Sequence, residues 1–331
     1  IRRQLDANHP GVACREMAEL ISSAGLHNLR GELDRISSGY NYMVNYMLQH
    51  GEDTGHEAFF IQTREELRTL ADRLERELKA IDSPDLYDSR VRTMRLTNVS
   101  LSDITGRLDS LALLAGSNGD DASQSADIQR NREQELINLF NFVWSRFPLT
   151  SGDLKLLTER ASSDEGDFIE RSQIISALFL GLLQYYEKGR VVALLDIYER
   201  SADVSVKARA LMALVLGMYA QRQRIAGDRE IELRLQSWLE QPGNGKRLRH
   251  VVMDIVRTLD TDRINKELKE DFLPKMQKMK PHIEKILRKS QGEGTFEENP
   301  DWEEMMRDSG LDSKLKELTE LQNEGADLMM F

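Results

Sequence analysis

The chain is poor in several of the residues on which other fold classes depend. It has one cysteine in 331 residues, Cys14, so no internal disulfide can form and no oxidising compartment is needed. Aromatic residues make up 6% of the chain and there are seven prolines, which leaves little material for a β-sandwich or barrel. No apolar run approaches the ~20 residues of a membrane span. These absences predict an all-α protein without a transmembrane segment, and we expect it in the cytoplasm.

The charge of the chain is of the wrong sign for nucleic acid. Asp and Glu number 56 against 45 Lys and Arg, which gives a net charge of −11. Neutralising phosphates requires clustered basic side chains on one face, so nucleic acid is excluded as the main partner. The simplest interpretation of the acidic balance is solubility.

Signals of catalysis or of ligand binding are missing from the sequence. Neither a G-x-x-x-x-G-K loop nor a G-x-G-x-x-G loop is present, and the acidic residues do not have the spacing of a calcium loop. Only His50 and His56 lie close together among the six histidines, in a segment that resembles a solvated turn more than a metal site. We therefore expect no enzyme activity, no cofactor and no metal.

Apolar residues recur at helical spacing through the first third of the chain. Steps of three and four residues join Leu26, Leu29, Leu33, Ile36, Tyr40, Met43 and Met47, and similar stripes follow. They predict long helices near 25–49, 56–82 and 85–115, after a shorter helix near 12–23. Because short turns separate them, we expect an antiparallel long-helix bundle over 1–115.

A polar stretch at 116–126 (GSNGDDASQSA) interrupts this pattern and carries no large apolar residue. It predicts a linker. Shorter helices are predicted beyond it, at 127–146, 151–162, 168–187, 190–200, 204–222, 228–240, 246–259 and 262–272. Aspartates that can cap the free N–H groups of a first turn stand near several of the starts, namely Asp153, Asp167, Asp203, Asp228 and Asp262.

Two segments separated by 36 residues are similar, DFIERSQIISALFLGLL from Asp167 and DVSVKARALMALVLGMY from Asp203. Arg171 aligns with Lys207, and two pairs of small residues also align, Ala177 with Ala213 and Gly181 with Gly217. Self-similarity at such a period indicates stacked helical repeats. We expect both alanines to be buried and both glycines to face a neighbouring helix at close range.

The segment from Asp203, with Val-Lys, Ala and Ala-Leu following at intervals, resembles the second helix of a HEAT repeat. Arg190-Val-Val-Ala-Leu-Leu-Asp-Ile-Tyr-Glu is similar to the first helix. The resemblance covers about 153–240 and implies an α-α superhelical array that binds other proteins. The whole chain also resembles parts of large bacterial helical-repeat proteins of unknown function, and since it begins at Ile1 without methionine, we expect it to belong to a longer protein. The predicted domains are thus the bundle 1–115, the linker 116–126, the HEAT-like domain 127–272, and a C-terminal region 273–331 with a basic helix and short acidic helices.

The C-terminal region has one unusually basic stretch, Pro274 to Lys289. A basic amphipathic helix here is a candidate for partner binding, at an anionic membrane surface or an acidic groove, or else a solvent-facing helix balanced by the acidic tail. Its candidate binding residues are Lys275, Lys278, Lys280, Lys285, Arg288 and Lys289.

Taken together, these patterns predict a non-enzymatic scaffold that binds a protein or peptide through a helical-repeat surface. The alternative is an all-α regulatory or sensory region of a larger multidomain protein, in which the bundle relays an oligomerisation signal.

Overall fold

A computed structural model describes residues 1–50, 56–97, 99–117, 122–164, 166–226, 228–267 and 269–270. Within these ranges the chain is all-α, as predicted: there are fourteen α-helices and one short 3-10 helix, and no residue lies in a strand. The chain forms two compact units, Ile1–Leu248 and Arg249–Phe331. The sites described below all lie in the first unit.

The first six α-helices cover the region of the predicted bundle. They are α1 (Arg2–Asp6), α2 (Pro10–Ser23), α3 (Arg30–His50), α4 (His56–Asp82), α5 (Leu86–Leu96) and α6 (Leu101–Ser117), with the 3-10 helix at His27–Leu29. Helices α2, α3 and α4 pack against one another, and α1 packs on α2 and α4. Their shared core contains Leu5, Met17, Ile21, Leu33, Ile36, Leu67, Leu70 and Leu74.

The third predicted long helix, 85–115, is wrong as a single element. The chain leaves α5 in an extended conformation at Thr97, and α6 starts anew at Leu101. A capping box explains the restart: the backbone N–H of Asp103 donates to Ser100 Oγ at 3.2 Å, and that of Ser100 donates to the Asp103 carboxylate at 3.0 Å. The apolar stripe continues across the break, so spacing alone does not reveal it.

Eight further helices follow. They are α7 (Ala122–Ser145), α8 (Ser151–Ser162), α9 (Phe168–Gln184), α10 (Lys188–Arg200), α11 (Val204–Ala220), α12 (Arg222–Ile225), α13 (Arg229–Glu240) and α14 (Asn244–Glu267). The two predicted helices at 246–259 and 262–272 are therefore one helix as far as Glu267, and position 262 lies inside it rather than at a start. Residues 271 and 272 are outside the described ranges.

Helices α7 to α11 pack in two rows. In the first row α9 lies between α7 and α11, and in the second row α8 packs against α10, which also packs on α11.

The predicted aspartates cap three helices: the side chains of Asp167, Asp203 and Asp228 accept backbone N–H groups at the starts of α9, α11 and α13. Asp153 instead occupies the third position of α8, in a capping box with Thr150.

Packing continues across the predicted linker. Helix α6 packs on α7, and so does α5. Of the predicted linker, 116–117 and 122–126 are helical, and 118–121 lie outside the described residues. Packing does not decide whether the two halves can fold separately, so the division into domains at 116–126 stays a prediction.

The repeated small residues behave as predicted. Ala177 is fully buried and Ala213 is 6% exposed. A β-carbon on Gly181 would overlap the guanidinium of Arg190, and one on Gly217 would lie 2.6 Å from Leu182 Cδ2. Both glycines therefore face a neighbouring helix at a distance at which a larger residue would force the facing side chain to shift.

We predict that Gly181→Ala destabilises the protein by about 1–3 kcal/mol, because the added methyl group must displace a buried and fully hydrogen-bonded guanidinium. Gly106→Ala is the matched control. It lies inside α6 with nothing within 4 Å of the added carbon, so it should stabilise by about 0.5–1 kcal/mol. Urea unfolding measures both free energies. Equal effects of the two substitutions would contradict the close contact at Gly181.

Candidate functional site

The first row of helices is joined by the same ion pair at two successive steps. Arg132 on α7 donates to the capping aspartate of α9, with Nη2 2.6 Å from Asp167 Oδ2. Arg171 on α9 donates to the capping aspartate of α11, with Nη2 3.1 Å from Asp203 Oδ2. Each carboxylate thus accepts hydrogen bonds both from the N-terminus of its own helix and from a guanidinium of the preceding helix.

Apolar side chains complete the step from α9 to α11. Leu182 and Phe179 of α9 are the side chains nearest to Gly217. Leu182 is fully buried, and Arg171 is 7% exposed. One face of α9 therefore presents an arginine and two large apolar groups to the next helix in the row.

Helix α11 carries the same face, and it lies at the end of the row. Shifting Arg171, Phe179 and Leu182 by 36 residues gives Lys207, Val215 and Met218, all three of them half-buried. Val204 and Tyr219 extend this face and are 78% and 69% exposed. We call the set Val204, Lys207, Val215, Met218 and Tyr219 the α11 edge. Among the described helices, the extensive contacts of α11 are with α9 and α10, and α12 follows it directly in the chain.

The α11 edge is also basic. Its charged member is Lys207, and the chain has no Asp or Glu from position 204 to position 225. Arg209, two positions after Lys207, lies on a different face of α11. Arg222 follows in α12, where Arg224 is paired with Asp72 and Glu65. Lys207 makes no ion pair within the described part of the chain, and its ammonium lies 6.0 Å from the ring centre of Tyr198. Arg222 lies over the ring of Tyr219 at 4.9 Å. In a chain of net charge −11, this edge is suited to an acidic partner.

Arg190, which is 1% exposed, fixes the second row against the first. Its Nε donates to Glu187 at 2.7 Å, and its Nη2 donates to the carbonyls of Val143 at 2.9 Å and Arg146 at 2.5 Å. Glu187 also accepts the backbone N–H of Leu149 at 2.8 Å. Burial raises the pKa of Glu187, and the neighbouring guanidinium opposes that rise.

Sequence reasoning missed this role of Arg190. The available signal was Gly181 in the helix before Arg190, because a glycine inside a helix leaves room for a large side chain from a neighbouring helix.

A second polar cluster ties the N-terminal helices to α12. Asp72 is 3% exposed and accepts from Arg2 at 2.9 Å and from Arg224 at 2.8 Å. A cavity of about 260 Å³ beside it is lined by Tyr185 and Tyr186, and burial raises the pKa of both phenols. Since the charged groups of this cluster pair with one another, we interpret it as structural.

A larger cavity of about 650 Å³ lies among α4 to α8. Two of its arginines, Arg76 and Arg95, pair with Glu77. Its aspartates, Asp103 and Asp153, are held in the capping boxes of α6 and α8, and hydrogen bonds from Ser100 lower the pKa of Asp103. Charges of both signs are balanced here, so the cavity shows no preference for a ligand of either charge.

The C-terminal part of α3 is uncharged and aromatic. Residues 36–49 include no Asp, Glu, Lys or Arg, although such residues make up 31% of the chain, and none of 37–49 is buried. Tyr42 is 71% exposed and Leu48 is 80% exposed. We call residues 37–49 the aromatic tip; its composition is typical of protein interfaces.

The other predicted candidates are only partly described. The six basic residues between Lys275 and Lys289 lie outside the described residues, so their role stays a prediction. His56 is buried and its ring lies 6.0 Å from that of Tyr46, while the side chain of His50 is outside the description. In the described part of the chain, no three His, Cys, Asp or Glu residues are grouped as metal ligands. Cys14 is buried.

Comparison of the chain with protein-family models, with curated proteins and with solved structures found no significant match. Among the described helices, none is both long and apolar enough to cross a membrane.

Proposed function

We propose that the protein is a non-enzymatic interaction scaffold that binds a helix of a protein or peptide at the α11 edge. In this proposal the N-terminal helices form a long-helix bundle, and α7 to α11 form the core of the HEAT-like superhelical array predicted over 127–272, in the cytoplasm. The observation that carries the proposal concerns α11, the last helix of the first row. At the positions equivalent to those with which α9 contacts its neighbour, the side chains of α11 are half-buried or exposed.

Two properties of the edge support binding of a protein rather than of a small molecule. The edge is an extended helix face with large exposed groups, Val204 and Tyr219, at its two ends. A helix laid along such a face contacts residues spaced by three and four, as in helix-in-groove recognition. In addition, stacked repeats bury their faces against neighbours, so an uncovered face at the end of a row is complementary to another helix.

A photo-crosslinking experiment in the source cell tests the proposal. A photoreactive amino acid replaces Met218 on the α11 edge or, as the matched control, Leu96 on α5, which is 88% exposed. We expect a protein crosslinked from position 218 and not from position 96, because only the edge is a docking face. The same crosslinked species from both positions, or none from position 218 at native abundance, would refute the proposal.

The aromatic tip favours a second function, that of a regulatory region of a larger protein whose bundle self-associates. An uncharged surface lets two acidic chains approach without like-charge repulsion at the contact. Sedimentation equilibrium then detects a dimer that the double substitution Tyr42→Ser, Leu48→Ser dissociates and that Leu96→Ser leaves intact. A wild-type chain that stays monomeric at high micromolar concentration would exclude this function.

A further inference from the structure

We infer the chemistry of the partner from the two steps of the first row: the α11 edge takes a helix of another protein that has an aspartate or glutamate at its N-cap, as at both steps, and a small residue 14 positions later, as at the step from α9 to α11. This inference rests on the proposed function and adds the partner class to it.

The carboxylate follows from the two ion pairs within the row. At each step a basic side chain of one helix meets the N-cap aspartate of the next, first Arg132 with Asp167 and then Arg171 with Asp203. Lys207 takes the position of Arg171 on the last helix and makes no ion pair among the described residues. A carboxylate at a helix N-terminus is stabilised by both the helix dipole and the ammonium group.

The small residue follows from the apolar part of the same interface. Gly217 lies 14 positions after Asp203, and it gives room to Leu182 of the preceding helix. Met218 takes the position of Leu182 on the α11 edge, and Val215 that of Phe179. A methionine side chain is unbranched and can fit a shallow space on the partner helix, but some space is still required. The partner helix therefore requires glycine, alanine or serine at the position equivalent to Gly217.

Charge argues against a second copy of this chain as the occupant. The edge has one charged residue, Lys207, and positions 204–225 include no acidic residue, so in a symmetric dimer of two such edges neither lysine would meet a carboxylate. The capping aspartates of α9 and α11 are already paired to Arg132 and Arg171. The edge therefore fits an acidic-capped helix supplied by a different protein.

A synthetic peptide tests the inference directly. It spans positions 203–220 and keeps Asp203 and Gly217, which contact α9, with the buried residues spaced between them by three and four, Val206, Ala210 and Ala213. Glutamine and i,i+4 Glu–Lys pairs at the other positions give it solubility and helicity, which circular dichroism verifies. Binding of the labelled peptide to the whole chain is followed by fluorescence anisotropy.

We expect saturable binding that Lys207→Glu weakens about five-fold or more. The peptide with asparagine for Asp203 should bind wild-type protein more weakly by a similar factor. Lys207→Glu in the protein should lower the affinity for this asparagine peptide only slightly further. The peptide with leucine for Gly217 should lose binding through overlap with Met218. Arg130→Glu on α7, at another exposed basic position, is the control and should leave the affinity unchanged.

Three other results would overturn the inference. Binding that Met218→Asp abolishes but Lys207→Glu leaves unchanged overturns the acidic-cap inference, while the α11 edge remains a docking surface. No binding up to millimolar peptide overturns the inference, whereas the crosslinking result decides the proposed function independently. A dimer of the chain that Met218→Asp converts to monomer overturns it in favour of a second copy.

Discussion

The carbonyl groups in the last turn of α7 have no hydrogen-bond donor within α7, and two arginines, one from α4 and one from α10, donate to them. Arg76 on α4 donates to Ser145 O at 2.7 Å, and Arg190 on α10 donates to the carbonyls of Val143 and Arg146. Cations at this end of a helix also complement its dipole. Both the N-terminal helices and the second row of the repeat are therefore hydrogen-bonded to the C-terminal end of α7. The position of α11 at the end of the first row depends on that attachment.

The proposed function is a consequence of repetition. Each step in the first row uses a basic side chain and a capping aspartate, and the step from α9 to α11 adds a small residue, Gly217, against Leu182. An interface built this way can be continued by another helix with the same complement. The row ends at α11 with the basic and apolar groups half-buried or exposed, and the aromatic tip offers a contact of a different kind. Surfaces of this sort recognise helices, which is why we place function on the edge rather than in the charge-balanced cavities.

Local patterns predicted much of the fold, and the tertiary contacts show why the rest was missed. Helices α4 and α8 have the predicted bounds, 56–82 and 151–162, since turn residues and a capping box mark them. The break between α5 and α6 was missed because the apolar stripe runs through it, although Ser100 and Asp103 have the spacing of a capping box. The role of Arg190 depends on carbonyls more than 40 residues away, and the exposure of Lys207 depends on which helices pack beside it; neither is visible in spacing.

The most direct test of this account is native-state hydrogen exchange of the wild-type chain and of Arg76→Met under increasing denaturant. If α7 couples the two halves, the slowest amides of α4 and α9 open with one free energy in the wild type, and the substitution lowers both by the same amount. Unchanged protection of α9 after α4 has lost its own would contradict the account and would show that the two halves unfold separately.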